Sequence, residues 1–194
     1  RGAMLFLDTP GGAAKGASDL AADVRRFAAR KPLHAYVEDL CASAGVRTAS
    51  ACHRITCNSP SCLYGSIGTY AVLEDLSGYA ERLGIQVHVV RAGEFKGAGT
   101  PGTPIEPAHL EDMQRIVDAL NEHYLADIAQ GRRMDDGKLR SLADGRVHPA
   151  PEALTMGLVD AVAPFEAAYE SLLQALPARP GGTQGASQVT QQPN

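Results

Sequence analysis

The sequence predicts an α/β fold with a mainly parallel sheet, because short apolar strands alternate with helices along most of the chain. Strands are expected at residues 4–7, 33–37 and 54–58, and helical patterns separate them. With 194 residues, of which 44% are hydrophobic, the chain can bury one core. We therefore expect one domain over residues 1–176. Residues 177–194 are rich in Gly, Gln, Pro and Ser, a composition typical of a disordered tail.

The helices are predicted from apolar residues spaced three or four positions apart. The first is expected to begin at Ser18, an N-cap residue, and to end before Pro32. The longest is expected to begin at Pro107, with a buried stripe made of Leu110, Met113, Val117, Leu120 and Tyr124. Further elements are expected as a helix closed by Gly84, a strand at residues 86–90, helices at residues 136–142 and 151–156, and a strand-like segment at residues 158–160.

Charge and cysteine content exclude several classes of function. The net charge of −4 is spread along the chain with no basic stripe, and no apolar run approaches the roughly 20 residues that cross a bilayer. Cys52, His53, Cys57 and Cys62 could be metal ligands, but their spacing matches no zinc motif, and buried free thiols are the ordinary alternative. We therefore expect no metal, no cofactor and no nucleic-acid partner.

Ser43 is the first candidate for chemistry. It lies in the small-residue segment 41–45, where a strand gives way to a helix, so its hydroxyl is reachable. Unpaired N–H groups at the start of that helix would face an anion formed there, which suits an attacking oxygen. A tight crossing between strand and helix is the alternative interpretation.

Three other segments fall near strand ends, where parallel sheets place their sites. Gly11 and Gly12 follow the first strand and allow close backbone approach, although a plain turn would also use them. Ser66 lies in a Gly-Ser-Ile-Gly turn. Lys96 lies among glycines and alanines after the strand expected at residues 86–90, where a surface lysine is the alternative.

Six short segments, in this order, resemble those of the S49 peptidases, the family of signal peptide peptidase A and of phage capsid-maturation proteases. They are Thr9-Pro10-Gly11-Gly12, Ala42-Ser43-Ala44-Gly45, Gly65-Ser66-Ile67-Gly68, Gly93-Glu94-Phe95-Lys96, Ala143-Asp144-Gly145-Arg146-Val147 and Gly157-Leu158-Val159-Asp160. The resemblance covers residues 4–162. It implies the Clp protease and crotonase superfold, a spiral of βαβ units.

The resemblance also implies roles. Ser43 corresponds to the nucleophile and Lys96 to its general base, which must be neutral to act, as a glycine- and alanine-lined pocket favours. Ser66 is expected to accept a hydrogen bond from that lysine and orient it. The N–H groups of Ala44 and of the Gly11-Gly12 loop would form the oxyanion hole. The implied function is a serine endopeptidase that works through an acyl-enzyme on peptide or protein substrates, as a homo-oligomer.

The sequence departs from the family pattern in three places. Ala44 replaces a glycine after the nucleophile, Val46-Arg47 stands where an aromatic pair is common, and Gly97 replaces an acidic residue. The first two are expected to change the shape of the pocket and its specificity. Two other functions stay open: a crotonase-like acyl-CoA enzyme on the same superfold, and a non-catalytic scaffold.

The start of the chain bears on substrate and location. Because the sequence enters the strand at residues 4–7 almost at once, we expect a preceding segment to supply a neighbouring strand, and the chain alone to expose an apolar edge and self-associate. A membrane anchor in that segment would favour a bacterial membrane-associated enzyme acting on signal-peptide remnants or exported peptides. A preceding segment without a membrane anchor would favour a cytoplasmic, phage-type capsid or scaffold maturation protease.

Overall fold

A computed structural model describes residues 1–177, which form strands and helices in alternation. The strands are β1 (Ala3–Thr9), β2 (Leu33–Ala42), β3 (Arg54–Cys57), β4 (Leu63–Gly65), β5 (Val147–Pro149) and β6 (Ala161–Val162). The helices are α1 (Ala17–Ala28), α2 (Ala44–Ser50), α3 (Ser77–Arg82), α4 (Pro107–Arg132), α5 (Asp136–Leu142), α6 (Ala150–Met156) and α7 (Phe165–Ala175). The expected tail at residues 177–194 lies, except for Pro177, outside the described residues.

The sheet is organised around β2, which pairs with three other strands. β1 runs parallel to it along one edge, with Ala3 opposite Leu33. On the other edge, β3 pairs with the first half of β2 and β4 with the second half, both parallel. β6 adds to β3 in parallel and β5 adds to β4 antiparallel. The change of partner along β2 brings the carboxyl ends of β1, β2 and β4 together.

The core lies around β2, whose Ala35, Val37 and Cys41 are fully buried. Helix α2 packs against β2, α1 and α4, and Gly131 of α4 lets that helix approach the carbonyl of Ser50 so closely that a Cβ would not fit. Phe6, Tyr36 and Phe165 form an aromatic cluster between β1, β2 and α7, with ring centroids 5.6–5.8 Å apart. This packing holds β2 and α2 in place, and Ser43 lies between them.

The parallel βαβ pattern is confirmed, and so are the strands predicted at residues 33–37 and 54–58. The helix beginning at Pro107 and the helix over residues 136–142 are also confirmed. The helix predicted at residues 151–156 is present one residue longer and ends at Gly157 in the left-handed conformation. The structure adds β4, β5 and α7, whose short or isolated patterns gave no clear signal.

Several boundaries were predicted wrongly. Gly16, with φ of 84°, precedes α1 in the place expected for Ser18, because the left-handed turn there favours glycine. The strand predicted at residues 4–7 is present as the longer β1, and its Phe6 is half exposed. The last strand falls at Ala161–Val162 and not at residues 158–160, where Leu158 and Val159 are buried in a connection.

The largest departure concerns residues 85–105, which we call the Lys96 segment. The strand predicted at residues 86–90 has no regular secondary structure, and Val90 is fully exposed. The stripe of α4 is buried only at Tyr124, while Leu110 and Leu120 are exposed. The described chain covers this apolar pattern only in part, since the Phe95 ring lies against His109 of α4 whereas Val90 stays exposed.

Candidate active site

Ser43 occupies a strained turn between β2 and α2. Its backbone has φ of 52° and ψ of −123°, a combination that non-glycine residues rarely adopt. Such conformations cost about 1–3 kcal/mol each and persist only where the surrounding structure holds them. A sharp strand-to-helix turn is also a known way to expose a nucleophilic serine. The strain therefore marks Ser43 as a candidate for function.

Hydrogen bonds from three elements hold this turn. The Ser43 N–H donates to the carbonyl of Gly65 at the end of β4, at 2.9 Å. The Ser43 carbonyl accepts from the Val46 N–H at 2.9 Å and from the Tyr124 hydroxyl of α4 at 2.6 Å. The conformation of the nucleophile candidate is thus set by the sheet, by α2 and by the longest helix together.

The glycine loop after β1 lies directly against Ser43. A Cβ added to Gly11, which has φ of 104°, would lie 2.6 Å from the Cβ of Ser43 and 3.1 Å from the backbone nitrogen of Ala44. A side chain at this position would therefore displace the serine. Beside it lies a cavity of about 60 Å³, and the residues that line it are Gly12, Ala14, Ala17, Ser43, Ala44, Arg47, Gly68, Thr69, Tyr70 and Tyr124.

The N–H groups around the cavity differ in their partners. The Gly11 N–H donates to the Thr9 hydroxyl at 3.1 Å, so it is already used. Within residues 1–177, no protein acceptor is found for the N–H of Gly12 or of Ala44. Of the predicted oxyanion donors, the N–H groups of Gly12 and Ala44 are therefore free of protein acceptors in the described chain. The N–H of Gly11 is not, and Gly11 matters because it has no side chain to displace Ser43.

A buried polar network lies behind Ser43. The Arg47 guanidinium is 7% exposed, and its Nε donates to Asp127 Oδ2 at 2.6 Å. Asp127 Oδ1 accepts from Arg25 at 3.0 Å. Burial raises the pKa of Tyr124 strongly, although the nearby Arg47 charge acts in the opposite direction, so its hydroxyl stays protonated and able to donate.

These network residues were not assigned a role from the sequence. Tyr124 was predicted only as part of the apolar stripe of α4, but a buried tyrosine hydroxyl needs a partner, and that requirement was the available signal. Arg47 was noted only as a departure from a family pattern. Five of the other six residues of α2 are buried together with Arg47. A charged side chain in such surroundings indicates an internal ion pair.

The structure does not bring Lys96 to Ser43 within one chain. Lys96 is exposed, its N–H donates to the Gly93 carbonyl at 3.2 Å in a local turn, and it is not among the described residues that line the cavity. Ser66 lies closer. It follows β4 with φ of 53°, donates its N–H to the Arg146 carbonyl, and lines a depression that shares Gly68 with the Ser43 cavity.

The cysteines lie in the core as free thiols. Cys41, Cys52, Cys57 and Cys62 are all buried and unpaired with one another, as predicted. Burial raises the pKa of Cys52 to about 12, which disfavours the reactive thiolate. Over the described range, no group of three or more His, Cys, Asp or Glu side chains is arranged to hold a metal ion. None of the helices described is long and apolar enough to span a membrane.

A known protein family matches most of the chain. A sequence model described as "Peptidase family S49" matches residues 25–178. The "Putative protease" of Methanocaldococcus jannaschii is 30% identical over 174 residues, which are 90% of this chain and 56% of that protein.

Two further relatives are more distant. The "Putative signal peptide peptidase SppA" of Enterococcus faecium is 25% identical over 89% of this chain and 50% of its own length. The "Capsid assembly protease C" of Escherichia phage lambda is 27% identical over 92% of this chain and 40% of its own length. The chain thus spans about half the length of the curated relatives it matches.

Among solved structures, a ClpP1 mutant from Listeria monocytogenes superposes with a TM-score of 0.53 at 12% identity. The match covers 83% of this chain and 72% of that one. At this identity the likeness concerns the fold alone. It confirms the predicted Clp protease and crotonase-like α/β fold.

Proposed function

Because the chain belongs to peptidase family S49, we propose that it is a serine endopeptidase in which Ser43 attacks the scissile carbonyl. The observation that carries the proposal is the strained Ser43 turn beside two N–H groups, those of Gly12 and Ala44, that have no protein acceptor in the described chain. An attacking oxygen and an anion-stabilising pair of donors are the two parts that acyl transfer requires.

The chemistry follows from these groups. The Ser43 Oγ forms a bond to the carbonyl carbon while its proton passes to a neutral lysine amine, which we assign to Lys96. The Gly12 and Ala44 N–H groups bind the oxyanion, and the lysine returns the proton to the leaving amine as the peptide C–N bond breaks. Water, deprotonated by the same amine, then hydrolyses the acyl-enzyme and restores the serine.

The exposed position of Lys96 supports a site that is completed by assembly. Lys96 lies in an exposed segment that also presents Val90 and Phe95 to solvent, and apolar side chains exposed in this number are typical of an interface. We infer that a second copy packs on the Lys96 segment and that Lys96 reaches a Ser43 cavity there.

Ser66 is proposed to orient the lysine. Its place beside the Ser43 cavity, on the rim formed after β4, fits a hydroxyl that accepts a hydrogen bond from the amine without adding charge. Ser66→Ala should lower kcat by roughly 10- to 1000-fold with little change in KM. Full activity of that variant would leave Ser66 with a turn role alone.

The substrate is proposed to be a peptide or protein segment in extended form. The names of the relatives point to signal peptides in one case and to capsid assembly in another, and both uses need the same hydrolysis. We favour signal-peptide remnants or exported peptides, with phage-type maturation as the alternative. The family match supports a peptidase over a crotonase-like acyl-CoA enzyme.

Labelling with a serine-directed phosphonate tests the proposal. The wild type should form a covalent adduct at Ser43 and hydrolyse a peptide library, and Ser43→Ala should do neither. Ser141→Ala, which removes an exposed hydroxyl from α5, is the matched control and should behave as the wild type. A wild-type assembly that is neither labelled nor active would favour a non-catalytic scaffold, and labelling that survives Ser43→Ala would exclude Ser43 as the nucleophile.

A further inference from the structure

The peptide bond between Ser43 and Ala44 carries two parts of the proposed machinery. Its carbonyl belongs to the nucleophile residue, and its N–H is one of the two available oxyanion donors. A trans peptide is planar, so its carbonyl and its N–H point in opposite directions. Whatever fixes the direction of the Ser43 carbonyl therefore also fixes the direction of the Ala44 N–H.

The Tyr124 hydroxyl is well placed to do so. It donates to the Ser43 carbonyl at 2.6 Å, which is short for a hydrogen bond between neutral groups, and the side chain is 5% exposed. The Val46 N–H, at 2.9 Å, is the second donor to the same oxygen. It comes from the first turn of α2 itself, so Tyr124 is the contact that ties this peptide to another element.

The ring of Tyr124 is in turn held by charge. The Arg47 guanidinium carbon lies 5.9 Å from the ring centroid, and Arg47 is held by Asp127, which also binds Arg25 of α1. Both Arg47 and Tyr124 line the Ser43 cavity. The hydroxyl therefore has a fixed direction before any substrate arrives.

We propose that Tyr124 is a positioning residue that orients the Ser43–Ala44 peptide so that the Ala44 N–H faces the oxyanion. Accepting a hydrogen bond at the carbonyl also polarises a peptide and strengthens its N–H as a donor. This inference rests on the proposed peptidase function. It adds to that function a side chain from α4 that acts on the Ala44 N–H through the backbone.

Tyr124→Phe tests the inference, because it removes one oxygen and keeps the ring. We expect kcat on a peptide substrate to fall by roughly 10- to 100-fold, somewhat less than the loss of an oxyanion donor itself. KM should stay within about threefold, because the contact acts in the transition state. Tyr169→Phe, which makes the same change on the exposed face of α7, is the control and should leave both values unchanged.

A second readout does not depend on turnover. In the ¹⁵N–¹H spectrum, the Ala44 amide should shift in Tyr124→Phe and not in Tyr169→Phe, because the bond to the Ser43 carbonyl is lost. This inference alone is overturned if the wild type hydrolyses peptides and Tyr124→Phe either has the same kcat or leaves the Ala44 amide signal unmoved. A wild type with no Ser43-dependent activity overturns the proposed function, and the inference with it.

Discussion

The two halves of the proposed site are built in opposite ways. Around Ser43, every residue of α2 from Gly45 to Ser50 is buried, and hydrogen bonds from β4 and α4 hold a strained backbone in place. Around Lys96, the chain has no regular secondary structure, Val90 is fully exposed, and the hydrogen bonds are local turns. One half is preorganised within a single chain, whereas the other half would be ordered only by the proposed contact with a second copy.

The same contrast divides α4. Its C-terminal half buries Tyr124, Leu125 and Ile128 and carries Arg132, which binds Asp160 beside β6. Its N-terminal half exposes Leu110 and Leu120. The helix thus runs from one region to the other. Its amphipathic pattern predicts which face can be buried, but it does not predict which part of the protein or of a second copy covers that face.

The largest expected effect comes from removing either of the two groups that are proposed to react together, one from each half of the site. Ser43→Ala and Lys96→Met should each lower kcat/KM on the order of 10⁴-fold or more, because in the proposed mechanism neither group acts without the other. The double variant should lose little more than either single variant. Steady-state kinetics on one peptide substrate checks this, and losses that multiply would show that Ser43 and Lys96 act independently.

A smaller effect should come from crowding the preorganised half. Gly11→Ala places a Cβ 2.6 Å from the Ser43 Cβ at a left-handed backbone, so the Ser43 side chain must move. A misplacement of this kind costs about 100-fold in kcat. Gly78→Ala on α3 is the matched control, since its Cβ meets nothing within 4 Å. Equal kinetics for the two variants would mean that the glycine loop does not support Ser43.

The smallest effect on activity, and a clear one on stability, should come from the ion pair that anchors the packed half of α4. Burial would raise the Asp160 pKa, but the hydrogen bonds and charge of Arg132 hold it below its ordinary value. A lowered native pKa gives stability that is present above the unfolded pKa of about 3.9 and is lost as pH falls further. Asp160→Asn should lower the free energy of unfolding at pH 7 by about 2–4 kcal/mol, because it leaves Arg132 without its carboxylate.

Urea unfolding between pH 7 and pH 3 measures the difference in the free energy of unfolding between the wild type and Asp160→Asn. This difference should become smaller below the unfolded pKa. Asp112→Asn removes a comparable pair with Arg115 from the exposed half of α4, and its effect should stay below about 0.5 kcal/mol. A gap between Asp160→Asn and the wild type that is constant with pH would contradict the assigned role of the pair.

The preorganised half was largely predictable from sequence. The small residues around Ser43 and the paired glycines at Gly11 and Gly12 have local physical reasons, and the structure brings them together at the carboxyl ends of β1 and β2. The Tyr124 contact could not be predicted, because it joins residues 81 positions apart. The strand expected at residues 86–90 failed because a strand needs a neighbouring strand, and the described chain offers none there.

Mixing of subunits tests the central claim most directly. The Ser43→Ala and Lys96→Met variants, each expected to be inactive alone, are unfolded, mixed in equal amounts and refolded together. A mixture of wild type and the double variant, treated in the same way, is the control. If Lys96 of one copy serves Ser43 of another, half of the sites have an intact serine and half of those an intact lysine. Activity should then return to about a quarter of the wild-type value for random mixing. A mixture that stays inactive while the control keeps its activity would show that each site is formed within one chain, and would contradict the account.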